Sequence, residues 1–81
     1  MSAAGERLFI VYGFASTHDA LDAEALLDDM GIDVVPIPAP ASVSATCGIA
    51  LRVEVADAER AERYLSNAEI TVVVRAEITD R

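Results

Sequence analysis

The stretch "RLFIVYGFASTHDALDAEALLDDMG", residues 7–31, decides the fold. Residues 7–14 are apolar, aromatic and β-branched almost throughout, the pattern of a strand buried on both faces and central in a sheet. The character changes at Ser16. Ser16 or Thr17 can cap a helix, and Asp19 follows Ser16 at capping-box spacing. Ala20, Ala23, Leu26, Leu27 and Met30 then share one helix face, with Asp22, Glu24, Asp28 and Asp29 on the other. Gly31 is a natural stop, because it enters the left-handed region without steric cost.

Working outward, residues 32–37 ("IDVVPI") read as a second strand. Pro36 within it demands an edge position or a strand end. Residues 49–55 ("IALRVEV") alternate: Ile49, Leu51, Val53 and Val55 face one way, and Ala50, Arg52 and Glu54 the other. Asp57 is placed to cap a second helix over 58–67, with an apolar stripe of Ala58, Ala61, Tyr64, Leu65 and Ala68. Glu59 and Arg63 pair one turn apart. Residues 69–78 read as the last strand, and the final "TDR" as a frayed tail.

The order is βαββαβ. Two helices with matching apolar stripes can cover one face of a four-stranded antiparallel sheet. The expected fold class is therefore α+β, a ferredoxin-like two-layer sandwich. The 81 residues make one domain, with its ordered core at about 7–78. Because the first strand is apolar on both sides, a homodimer through the open sheet face is expected to cover it.

Charge restricts the partners. There are 14 acidic residues against 6 basic ones, all arginine, for a net charge of −8. Such a surface repels nucleic acid and anionic membrane, and it suits a partner with a basic docking face. No run of residues is long and apolar enough to span a bilayer, and the first ten residues lack a signal-peptide pattern. With its single cysteine the chain has no internal disulfide. A cytoplasmic protein is expected.

That cysteine, Cys47, lies in "SATCGIA", residues 44–50. It ends a loop, 38–48, that holds no charge and opens with Pro38 and Pro40. Residues 42–46 could form one helical turn. In a split βαβ sheet the first and third strands are antiparallel neighbours, so this loop and the start of the first helix share one sheet edge. There the helix N–H groups around Thr17, His18 and Asp19 offer an anion site that would favour a thiolate. Ser16, Thr17, Ser44 and Thr46 could donate hydrogen bonds, and Gly48 would let backbone approach the sulfur. Against this, Asp19 would raise a nearby thiol pKa. Each residue has a plainer reading. Cys47 is then a small buried hydrophobe, His18 an exposed first-turn residue, Asp19 a helix-start acid, and Arg52 a solvated or interface charge. A Cys47–His18–Asp19 hydrolase is conceivable but is the weaker reading, because adjacent His and Asp rarely orient as a triad. One Cys and one His fall short of a metal site, and no fixed cofactor is implied.

The combined pattern resembles the small bacterial selenium/sulfur carrier domains. It consists of Ser16-Thr17-His18-Asp19-Ala20, Glu24 with Leu27, Gly31-Ile32, Pro38 with Pro40, Ser44, and Cys47-Gly48 followed by Ala50-Leu51-Arg52. The resemblance implies a carrier rather than an independent enzyme. Cys47 would hold sulfur or selenium as a persulfide or selenosulfide and hand it between donor and acceptor proteins. Such domains also occur beside a sulfur-carrier domain. None lies within these 81 residues, so the partners are expected on separate chains. The family's basic residue after the Pro-x-Pro pair is here Ala41. The competing function is a non-catalytic regulatory or partner-binding module in which Cys47 is structural.

Overall fold

The computed structural model describes residues 7–40 and 48–80. The elements are β1 (Arg7–Gly13), α1 (Thr17–Asp29), β2 (Val34–Pro38), β3 (Ile49–Glu54), α2 (Val55–Asn67) and β4 (Val74–Asp80). They form an antiparallel four-stranded sheet in the order β2-β3-β1-β4. Two helices lie on one face, so the α+β ferredoxin-like sandwich is the observed architecture. The helical turn expected at 42–46 falls outside the described residues.

The helix-side core is built by strand parity. Ile10 and Tyr12 of β1 and Leu51 and Val53 of β3 point the same way, because alternate residues share a face. Phe14 joins them at the end of β1. Ala20, Ala23 and Leu27 of α1 and Ala58, Ala61 and Leu65 of α2 close down on these residues. The alanines let both helix backbones sit near the sheet. Val11 and Ala50 form a second cluster on the opposite face, with Ile37, Ala39, Val74, Ala76 and Ile78 against them. The Arg52 guanidinium lies 4.2 Å above the Phe9 ring on this face, a cation–π contact. β1 is thus central and buried on both sides. Phe9 and Val11 are already 4% and 0% exposed within the single chain, so burying β1 does not itself require a dimer.

Both helices end in the same way. Gly31, at φ +82°, donates to the Asp28 carbonyl, and Ile32 donates to that of Leu27. This is a Schellman motif, and it gives Ile32 to the helix terminus. For that reason β2 starts at Val34 instead of Ile32. Met30 is the C-cap and is 42% exposed, off the expected apolar face. In α2, Glu69 donates to Ser66 and Ile70 to Leu65 in the same arrangement. Here the left-handed position, φ +62°, is held by a glutamate. β4 therefore starts at Val74 rather than residue 69, and Ala68 is an exposed C-cap outside the stripe.

Two other boundaries differ from expectation. β3 runs directly into α2, with Glu54 as N-cap, making no side-chain capping bond. Asp57 sits inside the first turn and pairs with Arg60 at 3.3 Å, while Val55 turns outward at 40% exposure. At the other end, Thr79 and Asp80 belong to β4, opposite Leu8 and Arg7. The last strand accordingly extends to Asp80, and Arg81 lies outside the described residues.

The left-handed glutamate yields a stability prediction. Glu69→Gly relieves a conformation that costs an L-residue roughly 1–2 kcal/mol, partly offset by the extra freedom of glycine in the unfolded chain. A net gain of about 1 kcal/mol is expected in urea unfolding followed by circular dichroism. An unchanged or lowered midpoint would contradict this account of the turn.

Candidate functional site

The candidate site lies at the sheet edge where β1 ends and β3 begins. Ile37, Ala50, Gly13 and Val74 make one row across the four strands. One step beyond, the Ala39 N–H donates to the Gly48 carbonyl at 3.0 Å. This bond fastens the two ends of the β2–β3 connection together. α1 starts at Thr17, just past the end of β1, so it rises from the same edge. The strand order anticipated that placement.

Ser16 is the N-cap, and its Oγ accepts the Asp19 N–H at 3.0 Å. Thr17 is exposed and Asp19 half-buried. His18 projects into solvent at 83% side-chain exposure, and its Nε2 lies 3.2 Å from the Asp22 carboxylate one turn along. Gly48 adopts φ +96°, and this decides its identity. A Cβ placed there would meet nothing within 4 Å. The left-handed backbone conformation is what favours glycine at this position. Arg52 is four residues into β3, about 13 Å of strand from Gly48, with its guanidinium over Phe9. The structure thus gathers Ser16, Thr17, Asp19 and Gly48 at one edge and places Arg52 mid-sheet. Ser44, Thr46 and Cys47 lie outside the described residues.

A second constellation escaped sequence reasoning. The Tyr12 hydroxyl donates to Glu62 Oε2 at 2.8 Å and lies 3.4 Å from the Ala58 carbonyl. Arg75 Nε donates to the same Glu62 oxygen at 2.8 Å. These three groups line an open cavity of about 470 Å³ whose apolar wall includes Leu65, Ile70 and Val72. Burial, followed by the hydrogen bond to the Glu62 carboxylate and its charge, pushes the Tyr12 phenol well above its ordinary pKa. Burial would raise the Glu62 carboxyl, but the Arg75 and Tyr12 hydrogen bonds and the Arg75 charge outweigh it and hold it below the ordinary range. The hydrogen bond and charge of Glu62 raise Arg75 in turn. One signal was available: Glu62 follows Ala58 by one turn, so it flanks the buried stripe instead of opposing it.

Among the described residues, no three of His, Cys, Asp and Glu come together as metal ligands. Nor is any helix among them long and apolar enough to cross a membrane.

The order of elements, the helix-covered sheet and the fastened loop edge define a small ferredoxin-like α+β domain with its candidate site at one end of the sheet. The chain belongs to the family described as "putative Se/S carrier protein-like", whose profile matches residues 10–73. No curated protein matches the chain.

Proposed function

We propose that this protein carries sulfur or selenium on Cys47 between a donor and an acceptor protein. The observation that carries this reading is the family match, which runs through Cys47 and both segments of the loop edge. The chemistry is thiolate chemistry. The Cys47 thiolate attacks the terminal sulfur of a donor persulfide. A sulfur–sulfur bond forms at Cys47, the donor's own sulfur–sulfur bond breaks, and the donor leaves as a thiolate. An acceptor thiolate then removes the terminal sulfur by the same step in reverse. Selenium transfers likewise through a selenosulfide.

In this reading the loop edge serves exchange. The first N–H groups of α1 steady the anionic persulfide, with Ser16 and Thr17 beside them. Asp19, Ser44, Thr46 and His18 set the local charge and hydrogen bonding. Gly48 turns the chain into β3. The acidic surface favours partners with basic docking faces.

Intact-protein mass spectrometry after incubation with a cysteine or selenocysteine desulfurase and its substrate tests the proposal. Wild type is expected to gain one or more sulfur or selenium atoms, removable by a thiol reductant. Cys47→Ser should gain none. Equal gain by the variant, or no gain by wild type, would sink the reading. The cavity at Tyr12, Glu62 and Arg75 favours the competing reading, a binding module with a structural cysteine. In that case Cys47 reacts with iodoacetamide only on unfolding, whereas a carrier thiol reacts in the folded protein.

A further inference from the structure

The two outer strands of the sheet are built differently. In β2 the Ala39 N–H at the strand end points to Gly48, toward β3. Backbone N–H directions alternate along a strand, so the nitrogens of Pro38 and Pro36 point outward. Neither can donate, and that edge is closed to further strands. β4 has no such protection. Its seven residues, Val74–Asp80, contain no proline, and among the described residues β1 alone pairs with it.

The side chains of β4 are also self-complementary. Val74, Ala76 and Ile78 lie on the sheet face opposite the helices. Arg75 is on the helix side, held there by Glu62, and alternation puts Glu77 beside it. Suppose two β4 strands run antiparallel about a two-fold axis at Ala76. Arg75 of each copy then faces Glu77 of the other. Val74 faces Ile78 in both halves, and the small Ala76 meets itself at the centre. An axis at Glu77 would oppose two carboxylates, and one at Arg75 two guanidinium groups. A one-residue slip would set charged residues against apolar ones. Only the Ala76 register satisfies every pair from Val74 to Ile78. Arg75 is prepared for it: Nε is occupied by Glu62, which leaves the outer guanidinium nitrogens for a second carboxylate. The side chain is 52% exposed.

We propose that the free edge of β4 is the docking site for a second copy of this chain. The pairing doubles the four-stranded sheet about Ala76 and continues its apolar face across the axis.

Sedimentation equilibrium of the full chain provides the test. Wild type is expected to approach twice its 8.6 kDa mass as concentration rises. Glu77→Arg should weaken association by about tenfold or more, because it turns both cross-strand attractions into repulsions. Arg75→Glu should act alike. An equimolar mixture of the two variants should associate again, since Arg75 and the new arginine of one chain face the two glutamates of the other. Amides of β4 should exchange more slowly at high wild-type concentration, a readout that needs no variant. A wild type that stays monomeric to about 1 mM would overturn the proposal. So would a dimer unaffected by Glu77→Arg, or folded variants that fail to associate when mixed.

Discussion

Replacing Phe14 with alanine should cost about 3–5 kcal/mol of folding stability, the range for losing a buried aromatic ring. Phe14 is wholly inaccessible and belongs to the cluster that joins the sheet to both helices. It stands between Gly13 at the end of β1 and the Ser16 cap, where the chain leaves the sheet for α1. The helix start has little else to rest on, since Ala15, Thr17 and His18 are all exposed. At roughly 0.05–0.15 kcal/mol per residue, a chain of this length holds about 4–12 kcal/mol in total. The substitution therefore removes a large share of it, and the variant should be partly unfolded at physiological temperature. Urea titration followed by circular dichroism measures the change. A loss below about 1 kcal/mol would mean that Phe14 does not organise the core as described.

The second large effect is alkaline. The folded protein raises the Tyr12 phenol above its ordinary value of 10.0, because burial and the Glu62 carboxylate both oppose a phenolate. The sign follows from proton binding. Above about pH 10 the unfolded chain releases this proton while the folded chain keeps it. Higher pH then favours the unfolded state. The stabilisation is complete below pH 10 and drains away as pH climbs toward the raised folded value. Urea midpoints should stay level through mildly alkaline solution and drop steeply beyond pH 10. Tyr12→Phe should begin about 1–2 kcal/mol less stable at neutral pH, having lost a hydrogen bond to a charged acceptor, and should show a shallower alkaline fall. Matching slopes for the two proteins would refute the assignment. Glu62 acts at the opposite end of the scale. Its lowered carboxyl contributes stability above the ordinary carboxylate range, lost as pH falls through its folded value. Its side chain is 39% exposed, so solvent screens this effect and it is the smaller one.

Much of this architecture was legible because local signals agreed. The unbroken apolar run of β1 required burial on both faces, and that made it central. Ser16 and Gly31 bracket α1 with chemistry that has few other uses. Pro36 marked an outer strand. The errors came where a residue acts against its type. Nothing in "NAEITVVV" warns that Glu69 will take the left-handed position, so β-propensity drew the last strand several residues too early. Asp57 is a good capping residue, yet β3 turns into helix before the chain reaches it. The Tyr12–Glu62–Arg75 cluster joins groups 50 and 13 residues apart, a meeting that only the packed fold creates. The edge that gathers Ser16, Thr17 and Gly48 was legible from strand order alone. The role proposed for Cys47 rests on chemistry and on family membership.

The bond between Ala39 and Gly48 has a consequence for how such a protein can diversify. The ends of the β2–β3 connection are tied to each other by backbone and to the sheet by the adjoining strands. Folding therefore closes this segment whatever its side chains are. For a flexible segment, each doubling of length would cost only about 0.6 kcal/mol of closure entropy. The helix-covered sheet and the β2–β3 connection are separable parts. Mutation can rewrite one, residue by residue or by insertion, while the other keeps its shape.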